Sequence, residues 1–366
     1  MIVPPLDVRP SSPQETEELH SAMQRVVDSG RYVLGDEVVA FERRFSGYIG
    51  VSHCVGVGSG LDALHLTLRA LGISSGDEVI VPGHTFIATW LAVVHAGARP
   101  VPVDIDPLTY NLDVARVAGA INTQTRAIVA VHLYGQPVDM DPLLAIADQH
   151  GLPVVEDASQ AHGALYNGRH VGSLGVAGTW SFYPSKNLGG IGDGGAVTTD
   201  DAALAERVRV LRSYGATEKD GFEVAGFNSR LDELQAATLR VKLDRLDSRN
   251  ARRRALAAMY QDSLRDSQYG LPSVPPWAEV VWHQFVIRSA RRDELRRHLE
   301  QRQIATAIHY PVPPHQQPLF AQYAGCALPR TAAAAREILS LPIGPHLSDD
   351  TVGYVIDALQ DFDHSR

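Results

Sequence analysis

The sequence predicts an α/β fold on a mostly parallel sheet, followed by a smaller α+β unit. Three observations carry this expectation. Between about residues 55 and 200, short β-rich runs alternate with helical stretches, the pattern of strands and crossover helices that builds a parallel sheet. A long helical stretch then covers 232–265, and a shorter mixed pattern follows it. At 366 residues the chain also exceeds the size at which one hydrophobic core usually keeps growing. We therefore expect a large unit over 1–245, with an N-terminal arm, and a small C-terminal unit with a linking helix over 246–366.

The elements follow in order. Val55-Gly56-Val57 reads as a strand, and 61–71 as a helix with Leu61, Leu64 and Leu68 on one face. A buried strand at 78–81 precedes a helix over 85–95 that ends at Gly97. Strands are expected at 100–103, 127–131 and 153–156, with a helix over 142–150, then strands at 178–183 and 195–199 and a helix over 202–212. Leu239, Leu243 and Leu246 keep helical spacing within 232–265. The C-terminal unit reads as strand 284–288, helix 292–302, strand 305–308, and helices 332–339 and 350–359, with proline-rich loops at 272–277 and 311–318. In such a fold, ligands gather at the C-terminal ends of the strands.

Composition narrows the function classes. Hydrophobic residues make up 45% and charged residues 20%, ordinary for a soluble enzyme. No uncharged apolar run reaches the roughly 18 residues of a membrane span. The opening Met1 to Asp7 lacks the basic and apolar regions of a secretion signal, so the cytoplasm is the expected location. The two cysteines, Cys54 and Cys326, suggest neither a disulfide framework nor a metal site. A net charge of −9 weighs against nucleic-acid binding. The arginine-rich run 249–254 lies within a helical pattern and reads as a solvated helix face.

Four segments carry chemistry. In Ser181-Phe182-Tyr183-Pro184-Ser185-Lys186 a strand ends at a proline, and a lone lysine precedes a glycine-rich stretch. Partial burial there would lower the pKa of Lys186 and make its amine nucleophilic; taken alone, it reads as a surface lysine in a turn. Val154-Val155-Glu156-Asp157 places acids at the end of a buried strand, where Asp157 suits a protonated ring nitrogen and Gln160 a phenolic oxygen. His162 reads equally as a structural hydrogen-bonding group. Gly56-Val57-Gly58-Ser59-Gly60-Leu61 runs from strand into helix, offering free amides and a positive dipole end to a phosphate. Leu61 breaks the dinucleotide-binding glycine pattern, and no G-K-[ST] follows to make a Walker loop. Phe86, at the end of another strand, suits stacking on a flat heterocycle.

Six segments in order, VGSGLDAL, VPGHTFIATW, VVEDASQAHGA, SFYPSKNLG, GDGGAVTTD and GFNSRLDELQAA, resemble the DegT-type (DegT/DnrJ/StrS) sugar-nucleotide aminotransferases over nearly the whole chain. The resemblance implies a fold-type-I aminotransferase with a seven-stranded-type sheet, using pyridoxal 5'-phosphate. It implies Lys186 as the Schiff-base lysine and proton carrier, Asp157 on the pyridine nitrogen, Gln160 on the ring oxygen and Phe86 stacked on the ring. Ser181 and the backbone of Gly60 and Leu61 would hold the phosphate, with the Ser59 side chain less secure. Asn228 would reach the phosphate of the neighbouring subunit, which makes the expected form a homodimer with sites at the interface.

L-Glutamate is the implied donor in a ping-pong cycle, and a dTDP-keto-6-deoxyhexose, aminated at C3, the acceptor. Tyr183, Tyr214, Arg230, His309, Tyr310 and His315 are candidate substrate contacts. Ser159, where the family often has Ala, is a departure without an expected consequence. A 4-keto sugar or cyclitol aminotransferase and a non-catalytic cofactor-binding regulator stay open as alternatives. Related dehydratases carry His in place of the lysine, so Lys186 argues against dehydration, and the broken glycine pattern argues against an NAD-dependent oxidoreductase.

Overall fold

In the computed structural model, which describes residues 2–218 and 221–364, the expected parallel sheet forms. Its strands are β1 (His53–Val57), β2 (Glu78–Pro82), β3 (Arg99–Val103), β4 (Thr125–Val131), β5 (Val154–Asp157), β6 (Ala177–Ser181) and β7 (Gly195–Thr199). They lie in the order β1-β7-β6-β5-β4-β2-β3. Only β7 runs against its neighbours; the remaining pairs are parallel. Strands such as Ile128-Val129-Ala130-Val131 are buried throughout, as a sheet covered on both faces requires.

Helices α1 (Pro13–Ser29) and α2 (Asp36–Ile49) fill the N-terminal stretch that the sequence reading left unassigned. Helices α3 (Gly60–Ala70), α4 (Ile87–His95), α5 (Met140–Gln149) and α6 (Ala202–Arg212) are the crossover and flanking helices of the sheet. No helix among the described residues is long and apolar enough to cross a membrane.

Four expectations are corrected. The stretch 232–265 is two helices, α7 (Glu233–Leu243) and α8 (Leu246–Ser263). Between them the Arg245 N–H bonds the Lys242 carbonyl, three residues back rather than four, and the axis breaks. The predicted helix 332–339 ends early: α9 (Pro329–Glu337) stops where Ile338–Leu341 joins Phe285–Arg288 as an antiparallel pair. Pairing with a distant strand outweighs the local helical pattern there. Residues 305–308 form no strand; Ala307 makes an isolated bridge to Ser340, and the Ala305 amide donates to the Val3 carbonyl. The arginine run is not a solvated face throughout. Arg253 is buried and donates to the carbonyls of Trp282 and Ile343, while Arg249 pairs with Glu15 at 2.6 Å.

A separate apolar core joins Val3 to residues from Leu256 to Phe362, including Tyr260, Phe285, Leu299 and Val355. The outer ends of the two expected units, Met1 and 365–366, lie outside the described residues.

One long-range contact fixes the start of α2. Its N-cap is Gly35, which has no side chain to cap with. The buried carboxylate of Glu233 takes that place, accepting from the amides of Gly35, Glu37 and Val38 at 2.7, 2.9 and 3.0 Å. Those amides would otherwise be orphaned at a helix start. Glu233→Ala is therefore expected to lower unfolding stability by roughly 2 kcal/mol, measured by urea denaturation, with Glu233→Gln losing less. Equal stability of both variants and the parent would show that these bonds contribute nothing.

Candidate active site

The C-terminal ends of the strands open onto a cavity of about 590 Å³. Alternation along β5 decides which acid faces it. Asp157 lines the cavity, its Oδ2 accepting from the Thr89 hydroxyl at 2.9 Å and its Oδ1 from the Ser159 amide at 3.2 Å. Glu156 points to the other face, as the two-residue period of a strand demands. There it accepts from the amides of Gly172, Leu174 and Gly175, each at 2.7 Å, and from His132 Nε2 at 2.9 Å. His132 Nδ1 accepts from the Val138 amide, so Nε2 carries the proton. Glu156 is a satisfied structural anion, and Asp157 is the acid available to a ligand.

Lys186 sits in the turn after β6 and also lines the cavity. Its amide donates to the Tyr183 carbonyl at 2.9 Å. The next residue, Asn187, is held by donation to Asn250 Oδ1 and the Val281 carbonyl, and the Gln235 side chain accepts from the Ile191 amide. Burial pushes the Lys186 amine down to about 8, opposed by the Asp157 charge. The surrounding imidazoles are kept neutral for the same reason: burial lowers His309 to about 4 and His162 to about 3, with Lys186 adding to both shifts. His283 is pushed well below its ordinary range. His162 does not line the cavity; it is buried against the Trp180 and Phe182 rings, beside the Ser181 backbone.

The start of α3 supplies a cradle of amides. Ser59 caps the helix, its hydroxyl accepting from the Asp62 amide at 3.1 Å. The first helical bond is Ala63 N–H to the Ser59 carbonyl, which leaves the amides of Gly60 and Leu61 outside the helix ladder. Both residues line the cavity with Ser59 and Ser181. A Cβ on Gly60 would lie 2.5 Å from Ser181 Cβ, so only glycine lets the helix terminus come this close to the strand end. Ser229 ties the loop down: its hydroxyl accepts from the Gly58 amide and donates to Asp62.

On the opposite wall, Gln160 Oε1 accepts from the Tyr134 amide at 2.8 Å and Nε2 donates to the Tyr310 hydroxyl at 3.1 Å. The first bond fixes the amide orientation, and it keeps the donating side of Gln160 toward Tyr310. Phe86 is half exposed, with its ring 5.4 Å from that of Tyr310. Tyr183 and His309 complete the lining, and His309 Nδ1 lies 2.8 Å from the Ser340 hydroxyl.

Four candidates do not line the cavity within one chain. His315 is buried in a short turn of the proline-rich segment, where packing rather than ligand access sets its place. Tyr214, Asn228 and Arg230 lie in an outer segment: Tyr214 is half exposed under the Arg230 guanidinium, and Asn228 is exposed. The same segment exposes Phe222, Val224 and Phe227. Thr89, His283 and Asp193 line the cavity without having been singled out. The spacing of Thr85 and Thr89, one helical turn apart with hydroxyls 2.9 Å from each other, is a signal that pointed to Thr89. His283 and Asp193 carried none.

With the cofactor-free protein, an aldehyde trapped on Lys186 by borohydride should be captured at a rate that rises with pH to a midpoint near 8. A midpoint near the ordinary 10.5 would mean that the amine is not desolvated. The linkage has a definite sign. Lowering the folded-state pKa of a cation penalises the protonated native form below that value, so Lys186 contributes a gain in stability as pH rises from about 8 toward 10.5.

Residues 13–360 match the DegT/DnrJ/EryC1/StrS aminotransferase family. The chain is 53% identical over 363 residues to the dTDP-3-amino-3,4,6-trideoxy-alpha-D-glucose transaminase of Streptomyces venezuelae, covering 98% of this chain and 96% of that one. Among solved structures, S. venezuelae DesV in complex with a ketimine intermediate superposes with a TM-score of 0.97 at 52% identity, covering 100% of this chain and 99% of DesV. NtdA from Bacillus subtilis with bound cofactor PMP gives a TM-score of 0.92 at 32% identity, covering 98% of this chain and 85% of that one.

Proposed function

The chain belongs to the DegT/DnrJ/EryC1/StrS aminotransferase family, and from that premise we propose that it transfers an amino group from L-glutamate to the C3 keto group of a dTDP-keto-6-deoxyhexose. It is a pyridoxal-phosphate-dependent sugar aminotransferase. The residues present fit this cofactor. A helix N-terminus with two unladdered amides beside the Ser181 hydroxyl suits its phosphate, and the buried Asp157 carboxylate suits its ring nitrogen. When bound, the cofactor supplies an electron sink that eases proton loss from the carbon bearing nitrogen.

The observation that carries the reading is the meeting of Lys186 and Asp157 in one cavity with Gly60, Phe86, Gln160 and Ser181. In this reading Lys186 would hold the cofactor covalently at rest. Once displaced by an amine, its Nζ would take the proton from the carbon bearing nitrogen and return it two bonds along, the 1,3-shift that transamination requires. A pKa lowered toward 8 suits that task, because a far larger share of the amine is neutral near physiological pH than for an ordinary lysine. Asp157, oriented by Thr89, would keep the ring nitrogen protonated. Phe86 would pack on the ring, and Gln160 would donate to its oxygen. The neutral His309 and the Tyr310 and Tyr183 hydroxyls offer uncharged contacts to the sugar. Ping-pong order follows, since glutamate and the ketosugar use the same Lys186 in turn.

We also infer a homodimer. Asn228, Tyr214 and Arg230 lie outside the chain's own cavity beside exposed Phe222 and Phe227, which suits a second copy covering that apolar patch and Asn228 reaching its phosphate site. Large and small units dividing near 245, and residence in the cytoplasm, belong to the same reading. The break between α7 and α8 and the separate core around Tyr260 support the division.

The proposal is tested by reconstitution with pyridoxal phosphate, borohydride reduction and peptide mass analysis, which should place the adduct on Lys186. Lys186→Ala should lose the adduct and drop turnover by roughly 10³-fold or more. Steady-state rates with dTDP-3-keto and dTDP-4-keto sugars then check the position, and faster amination of the 4-keto substrate would refute the C3 assignment.

A further inference from the structure

A second cavity, of about 360 Å³, lies under the N-terminal strap formed by Leu6 to Ser11. The turn carrying Lys186 forms one of its walls, and α7 and α8 contribute Lys242, Arg249 and Arg253. Its charges do not balance. Asp7 is taken by Arg9 and Glu15 by Arg249, both at 2.6 Å. Lys242 and Arg253 are both buried, and their bonds run only to neutral carbonyls: Gly189 and Gly190 for Lys242, Trp282 and Ile343 for Arg253. Neither forms an ion pair among the described residues. His346 lies on the same wall with both ring nitrogens buried, beside the Pro4 backbone.

A buried cation without a counter-charge is costly, and carbonyl dipoles offset only part of that cost. Burial accordingly pushes Lys242 down from its ordinary range and Arg253 to about 10; the Arg249 charge adds to both shifts, and the Glu15 charge opposes that on Lys242 only in part. An ammonium has three donors and a guanidinium five. Lys242 and Arg253 each use two bonds, so donors remain for a ligand on this wall.

We propose that this cavity is a binding site for a small oxyanion, a phosphate or a free carboxylate, held by Lys242 and Arg253. Because Ser185 and Lys186 line both cavities, an anion held here meets the reactive lysine's turn from outside the proposed cofactor site. The inference does not depend on which sugar carbon is aminated.

The test uses the cofactor-loaded enzyme and selenate, whose anomalous scattering marks its position in soaked crystals. The expected result is a selenate peak within hydrogen-bond reach of Lys242 Nζ and the Arg253 guanidinium. Displacement by inorganic phosphate identifies a phosphate site, and displacement by succinate a carboxylate site. Displacement by neither, or selenate found only elsewhere in the protein, overturns the proposal. His346→Glu, which supplies a carboxylate from the chain itself, keeps the test independent of variants that remove a buried cation. It should keep or raise the melting temperature and cut the stabilisation by the displacing anion at least several-fold at constant ionic strength. An undiminished response in His346→Glu would place the anion elsewhere and overturn the assignment.

Discussion

The desolvation of one lysine beside one carboxylate sets the terms for the rest of the site. Burial alone disfavours the Lys186 ammonium, and the Asp157 charge partly restores it, so the amine can change protonation state near neutral pH. That balance requires the other nearby bases to stay uncharged. His162 and His283, which are buried, and His309, which is partly buried, meet the requirement because desolvation lowers all three. It also requires Asp157 to keep its orientation, which Thr89 and the Ser159 amide secure.

Rigid secondary structure holds this balance in place. Asp157 and Ser181 are the last residues of neighbouring parallel strands, and Gly60 opens the helix that presses against Ser181. Side chains at strand ends are fixed by the sheet, so small distances are maintained without a loop having to order on binding. The Lys186 turn itself is irregular and needs outside support. It receives this from Gln235 and Lys242 on α7 and from Asn250 on α8. Because Glu233, on the same α7, also anchors α2, the N-terminal helices and the reactive turn share one scaffold.

Placement of charge separates the two cavities chemically. The larger is lined mainly by neutral groups around one lysine and two acids, Asp157 and Asp193, and suits a ligand with both a flat ring and an anionic end. The smaller carries two buried cations, Lys242 and Arg253, that form no ion pair among the described residues. A helix that looked like a solvated arginine face from its composition thus directs Arg253 inward. Composition records how many charges a helix carries, but the packing partners decide which of them lose water.

The alternation of strands and helices from 53 to 212 was legible because parallel sheets buried on both faces leave continuous apolar runs, and the glycines and prolines between them mark the turns. The residues around the larger cavity were legible in part, because Lys186, Asp157, Gln160, Phe86 and the Gly58–Gly60 turn each stand at a strand end, where the fold opens. What remained hidden depended on long-range contacts. Strand pairing drew Ile338–Leu341 out of a helical pattern, the Glu233 cap defined α2 from 198 residues away in sequence, and the approach of distant loops brought His283 and Asp193 to the cavity. Local sequence determined which segments form strands and helices and which polar groups stand at their ends. Only the tertiary structure decided which of those groups are buried together, because burial depends on neighbours that no local pattern names.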